Sequence, residues 1–495
     1  MPSRRRRRQR RRRPGASEAG LGERRGSVNT QLLLLILYTA GITAFGLWIG
    51  RWVRGADDFF VAGRKLTWLL VGGTVLAANL GAGTTVGAAG LAYRDGISAW
   101  WWNGAVGVGT LLLALWVGPR LWTIASAKHH LTLGDFLEDR YNGIIRGVVA
   151  SLLLVGTLAI LAGQLIAGAS VLEVVAGLPR WQGVAIGGVA MTIYFTAGGL
   201  LSSAWVNVVQ LVVLIGGFAV ALPMVLSNVG GVAAIGAAPE VPATYWDPLY
   251  SAGARSGWTM LIMLMPGIIV SPGLVGKAYG AESVRALKIG IGAAAVVQLA
   301  FSFLPVLLGM SARVNYPGIE SQNLVLPTVL LHELPTLVGA LALSAVFSAE
   351  VSTCDAILFM LSTSSSRDLY QRFVNPSATS AQILAVARLA ALFGGVIGMF
   401  LAIQLATVID ALSIFYSLMG ASLFVPVVGA LLVPRATARD AMAAIVLGVG
   451  TLLAVYFGTT GRGWWDPSLW GLIGSVAGFA GSRLTSSRTG PPATS

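Results

Sequence analysis

Cysteine is nearly absent from this chain: Cys354 is the single one in 495 residues, which excludes an intramolecular disulfide. Its place inside an apolar stretch makes it a packed small residue rather than a nucleophile. Histidine is also scarce, and His129, His130 and His332 fall in predicted loops with no second cluster of ligands, so no metal centre of the zinc type is expected. No G-x-x-x-x-G-K-[ST] loop occurs, which excludes an ATP-driven pump within the chain. No nucleophile–base pair stands at a spacing that would support catalysis, so neither an enzyme nor a cofactor is expected. Charged residues make up only 11%.

What fills the space is apolar. With 55% hydrophobic residues the composition is that of a chain embedded in a lipid bilayer, most simply as one polytopic domain over residues 31–482. The formal charge of +14 would suggest nucleic acid, but eleven of the thirty-four basic residues lie in the first twenty-five positions. No nucleic-acid partner follows from it. Residues 1–30 carry no apolar periodicity and read as a disordered Arg-rich tail, and the apolar run from Leu32 reads as a retained first span rather than a signal peptide.

Thirteen apolar stretches approach or exceed the twenty or so residues that cross a hydrocarbon layer. They lie near 31–50, 67–92, 99–118, 145–177, 182–202, 205–227, 258–276, 286–311, 336–366, 381–404, 408–433, 440–457 and 464–482. The fold class is therefore all-α, a multi-pass membrane protein. Alternate loops hold eighteen Lys and Arg on one side, Lys277 among them, against five on the other, Arg94, Arg180, Arg255, Arg313 and Arg462. The basic side is cytoplasmic by the positive-inside tendency, which puts residues 483–495 inside as a short tail and the N-terminus outside a plasma membrane. The Arg-rich tail contradicts that placement. The expectation drawn is that the true start lies downstream of it.

The ninth stretch contains Phe347 to Tyr370, FSAEVSTCDAILFMLSTSSSRDLY, where Glu350, Ser352, Thr353 and Asp355 fall within six residues in a context otherwise fit for hydrocarbon. Ionisable groups at that depth face a protein interior, a cavity or an ion path. Helical spacing lets the backbone at Ala349 and the hydroxyls of Ser352 and Thr353 converge on one point, whereas Glu350 and Asp355, five apart, diverge. Either hydroxyl alone could simply bond the carbonyl one turn back. A site for a small cation is the expectation.

Two spans are interrupted by small residues. The second carries Gly81, Gly83 and Gly87 beside Asn79, Thr84 and Thr85; the seventh carries Pro266-Gly267 and Pro272-Gly273. Proline removes a donor and glycine weakens the helix, so free carbonyls are expected at mid-membrane in both. Close packing is the alternative use of such glycines. Position argues for more, because spans two to six and seven to eleven form two equal halves, about 67–227 and 258–433, each opening on a broken helix. Matching breaks in two halves point to a transporter's binding site.

These motifs resemble the sodium:solute symporter family. VSTCDAILFMLSTSSSRDLY is similar to its paired-hydroxyl helix, ADDFFVAGRKLTWLLVGGTVLAANLGAGT to the entry into its first broken helix, YRDGISAW to the exit, and GGLLSSAWVNVVQ to its G-G-x-x-x-x-x-W-x-D-x-x-Q signature. The resemblance implies a leucine-transporter-type fold of two inverted five-helix repeats. It also implies sodium held by the carbonyls of Ala77, Leu80 and Ala349 and the hydroxyls of Ser352 and Thr353. Five oxygens suit a hard monovalent cation. Asn207 stands where the signature has Asp, and Gly83-Thr84 and Gly267-Ile268 stand where sugar carriers have Glu-Gln and aromatics. A hexose is therefore not expected. Asn79, Gly83, Thr84, Gly267 and Ser271 are the candidate solute positions.

The function expected is secondary active transport that couples sodium entry to uptake of a small organic solute by alternating access. Two other readings remain: proton coupling through Glu350 and Asp355, and a solute sensor that keeps the fold without transporting. The short tail after Arg483 leaves no room for a signalling domain, which counts against the sensor.

Overall fold

A computed structural model describes residues 30–42, 44, 45, 48, 64–238, 241, 243–249, 257–459 and 466–488, with backbone only at 190, 191, 193–205, 258, 355 and 486–488. The Arg-rich tail, Arg255 and Arg462 lie outside that description. Every regular element described is helical. The helices used below are α1 Thr30–Ile42, α2 Trp68–Asn79, α3 Ala88–Asp95, α4 Trp100–Leu112, α5 Gly118–Lys128, α6 Leu133–Arg140, α7 Gly143–Ala176 and α8 Arg180–Val229. They continue as α9 Gly257–Ile269, α10 Pro272–Tyr279, α11 Val284–Phe301, α12 Phe303–Asn315, α13 Thr336–Thr363, α14 Ser380–Gln404, α15 Val408–Met419, α16 Ala438–Gly458 and α17 Pro467–Arg488.

A lipid-embedded chain must satisfy its backbone within itself, which is why the apolar runs become helices. Among the described residues eight helices are long and apolar enough to cross a bilayer, or nine if one bent pair counts as a span. Thirteen are not counted there. The turn expected near 203–204 is not a loop: α8 runs unbroken for 50 residues, about 75 Å at the rise of a helix and more than twice the hydrocarbon layer. Its residues Val206–Val229 alone are long enough to cross.

Both expected interruptions occur, one of them displaced. Helix α2 stops at Leu80, whose φ of −90° and ψ of 55° leave the helical region, and the chain restarts through the π-turn Gly83–Gly87 into α3. In the second, Pro266 does not break the helix; it lies inside α9, and the break falls at Val270–Ser271, where α10 begins with Pro272 and turns by 42°. Proline's fixed φ and missing N–H suit the first position of a helix, so Pro272 starts α10.

Helix α2 lies against α11 through glycine. A Cβ on Gly72 would stand 2.6 Å from the carbonyl oxygen of Gly290, and a Cβ on Gly290 would stand 2.3 Å from that of Trp68. Only hydrogen fits between these backbones. At one end of the bundle α6 begins with a capping box of Thr132 and Asp135, and buried Arg146 on α7 reaches Asp135 at 2.9 Å, Glu138 at 2.9 Å and Asp368 at 2.7 Å. Arg140 donates to the carbonyls of Ala430, Val433, Pro434 and Ala436, tying α6 to the chain after α15.

The contact between α2 and α11 gives a direct test. Gly290→Leu should lower the thermal stability of the purified protein by about 1–3 kcal/mol, the usual penalty of overpacking. Gly292→Leu, on the same helix with nothing within 4 Å of its Cβ position, should leave the melting temperature unchanged.

Candidate functional site

The first break exposes carbonyls that the preceding helix would otherwise occupy, and α13 brings hydroxyls to them. Thr353 Oγ1 lies 3.3 Å from the carbonyl oxygen of Ala77 and 3.0 Å from that of Ala349, and Ser352 Oγ lies 3.5 Å from that of Ala77. Residues 77, 349, 352 and 353 are all buried. Two hydroxyls and two carbonyls thus meet at the first break, and Thr353, with one proton, lies within reach of both carbonyls.

Leu80 sits fully buried at the end of α2, its N–H bonded to the carbonyl of Leu76. Its neighbour Gly81 touches the cluster: a Cβ there would stand 2.3 Å from Thr353 Oγ1 and 2.6 Å from Gln164 Oε1. Gln164, in the middle of the 34-residue α7, also accepts the N–H of Ala82 at 2.9 Å and so satisfies a donor that the break leaves open. Sequence reasoning passed over Gln164. Its signal is a lone amide in a long apolar run.

Lys277 needs a correction, because it is no loop cation. It is fully buried on α10, and its Nζ donates to the carbonyl of Thr74 at 2.8 Å and meets Thr74 Oγ1 at 3.2 Å. Asn207 Nδ2 reaches the same hydroxyl at 3.4 Å. Thus α8 and α10 both hold α2 one turn before Ala77. Asp368, expected only as part of a motif, partners Arg146 and accepts from Thr132 Oγ1 at 2.9 Å.

The candidate solute positions divide. Gly83 and Gly267 both face α15: a Cβ on Gly83 would meet Leu412 Cδ2 at 2.4 Å and Trp102 Nε1 at 3.0 Å, and one on Gly267 would meet Met419 Cβ and Tyr416 O at 3.2 Å. Trp102 and Tyr416 stand edge to face at 6.3 Å. The polar positions turn inward. Asn79 donates to Thr110 Oγ1 at 2.9 Å, and Thr84 directs its hydroxyl to the carbonyls of Gly81 and Asn79 while its own carbonyl takes the amide of Asn103. Ser271 is buried in the second break, its N–H on the carbonyl of Ile268.

Of the two acidic residues near the hydroxyl pair, Glu350 turns to the first break and meets Thr85 Oγ1 at 3.0 Å. The side chain of Asp355 lies outside the described residues, as do those of 198–205 in the tryptophan-bearing signature. A cavity between α7, α10 and α13 is lined by Val149, Leu153, Pro272, Gly276 and Met360 together with Arg146 and Asp368.

Comparison with known proteins adds the family. The model described as "Sodium:solute symporter family" matches residues 59–448. A sodium/glucose cotransporter of Vibrio parahaemolyticus is 24% identical, covering 92% of this chain and 90% of its own. A sodium/pantothenate symporter of Haemophilus influenzae is 26% identical over 68% of this chain and 72% of its own. Among solved structures, the substrate-bound outward-open state of a Na+-coupled sialic acid symporter superposes with a TM-score of 0.78 at 20% identity, over 92% of this chain and 98% of that one.

The packing at Gly81 predicts a sharp sensitivity. Gly81→Ala should push Thr353 off the break and weaken sodium-dependent thermal protection about five- to a hundredfold, as for an overpacking cost of about 1–3 kcal/mol. Gly216→Ala, where a Cβ meets nothing within 4 Å, should retain that protection in the same assay.

Proposed function

This chain belongs to the sodium:solute symporter family, and we propose that sodium held between its first broken helix and α13 drives uptake of a small organic solute. It is a multi-pass membrane transporter rather than an enzyme, and its function is sodium-coupled solute symport. The observation that carries the site is the convergence of the Ser352 and Thr353 hydroxyls on the carbonyl of Ala77. With Ala349 and Leu80 they make a five-oxygen ligand set, three from backbone and two from hydroxyls. Hard oxygens without net charge suit sodium.

Sodium entering down its gradient supplies roughly 2.3 kcal/mol per charge per 100 mV plus a concentration term, enough to accumulate solute without ATP. The solute binds where the broken helices meet α15, against Gly83, Gly267, Trp102 and Tyr416, while Asn79 and Thr84 hold the first break through their own hydrogen bonds and Ser271 lies in the second. A wall with one tryptophan, one tyrosine and few free polar groups favours a compact amino acid or organic acid over a hexose. Two halves, 67–227 and 258–433, carry one broken helix each and rock about the site during alternating access. The C-terminus and the segment Arg120–Tyr141 are cytoplasmic, the N-terminus outside the plasma membrane.

Uptake into proteoliposomes of a labelled panel of amino acids, small carboxylates and a hexose, under an imposed sodium gradient, tests the function. For whichever solute is taken up, Ser352→Ala or Thr353→Ala should raise the sodium concentration for half-maximal uptake about five- to a hundredfold, since one lost ligand costs about 1–3 kcal/mol. Uptake that ignores sodium would reject the coupling. Orientation is tested separately: in a Cys354→Ala background, His129→Cys, at an exposed position beside buried His130, should resist an impermeant thiol reagent on intact cells, and labelling from outside would reverse the assignment.

A further inference from the structure

The carboxylate of Glu350 is short of partners in a place that cannot tolerate it. Glu350 is fully buried in α13, a helix long and apolar enough to cross the bilayer. Its Oε1 lies 3.0 Å from Thr85 Oγ1, while its Oε2 is buried without a hydrogen-bond partner among the described residues. Thr85 cannot serve it fully, because the same hydroxyl lies 3.0 Å from the carbonyl oxygen of Gly81 and has a single proton. An ionised carboxylate can accept about four hydrogen bonds, and this one receives at most one. A buried charge so poorly served needs an opposite charge against it.

The oxygens around it have the make-up of a cation site. Gly81 O, Thr85 Oγ1 and Glu350 Oε1 stand in sequence at 3.0 Å steps, and Thr84 Oγ1 adds contacts of 2.9 Å to Gly81 O and 3.0 Å to Asn79 O. The carbonyl of Gly81 is crowded by the N–H groups of Thr84 and Thr85 as well as both hydroxyls. Those hydroxyls are thus free to turn their lone pairs toward an ion. The donors are hard oxygens with one negative charge among them, which matches a monovalent cation better than calcium or a thiophilic metal.

We propose that Glu350, Thr85 and Thr84 form a second sodium site beside Gly81, separate from the pocket of Ala77, Ala349, Ser352 and Thr353. It goes beyond the first site and uses different side chains. Both sites grip the same break, so each ion favours the conformation that the other requires. Their binding is cooperative by linkage.

Binding of radioactive sodium to the purified protein in nanodiscs, with choline balancing the salt and no solute needed, tests this. Two ions per chain should bind with a Hill coefficient above one. Glu350→Gln should bind one ion without cooperativity, and Thr85→Val, which keeps the carboxylate and nearly the same shape, should weaken one of the two ions about five- to a hundredfold. The double variant Ser352→Ala, Thr353→Ala should lose the other ion and keep this one. If Glu350→Gln and Thr85→Val bind sodium as the unaltered protein does, Glu350 is a neutral structural acid and the second site is overturned. A single ion that survives Glu350→Gln but not the double hydroxyl variant also overturns it, leaving the first site standing. Loss of an ion in Glu350→Gln with none lost in the double variant supports the second site and rejects the first. Should Glu350→Gln fail to fold, the Thr85→Val measurement decides alone.

Discussion

A backbone that stops being helical inside a bilayer must find partners for the groups it releases, and this protein is arranged around meeting that demand at Leu80–Ala82. Each unsatisfied N–H or C=O in hydrocarbon costs several kcal/mol. Two helices and the restarting turn answer it. Helix α7 sends Gln164 to the N–H of Ala82, α13 sends Ser352 and Thr353 to the carbonyl of Ala77, and the restarting turn folds Thr84 and Thr85 back onto Gly81. The partners that meet this demand are hydroxyls and an amide rather than charged groups. They gather uncharged oxygens at the break, which is where the sodium site is proposed.

How much of this the sequence disclosed depended on whether a residue acts locally or through partners distant in the chain. Gly81 and Gly83 announce the first break because glycine weakens a helix wherever it stands, and Ser352-Thr353 announce themselves by spacing on α13. Pro266 misled. Proline inside a membrane helix is tolerated when its neighbours absorb the lost hydrogen bond, and only Pro272, at a first helical position, coincides with the break. Lys277 looked like a loop cation because it stands near the end of an apolar run. Its role rests on Thr74, about two hundred residues earlier, which no local pattern can reveal.

The same limit applies to Gln164 and Glu350, whose partners at Ala82 and Thr85 come from another helix. Taking Lys277 out of the loop count still leaves a large excess of basic residues on one side, so the expected orientation does not hinge on it. The division of 182–227 into two spans was not robust. The spans drawn at 182–202 and 205–227 left room for a turn between them, yet the backbone stays helical there. Composition can mark where a helix is weak without deciding whether tertiary packing lets it end.

The contact of Gly72 with Gly290 has a mechanical meaning. Side chains between two helices act as cushions, since rotamers can shift and take up a small displacement before the backbone moves. At this crossing there is no cushion: the carbonyl oxygens of Trp68 and Gly290 occupy the space that a methyl group would need. Any ångström-scale shift of α11 is therefore passed undiminished to α2, and along its next two turns to the carbonyl of Ala77. The crossing works as a gear tooth without play, and it stands within two turns of the carbonyl proposed to hold the ion.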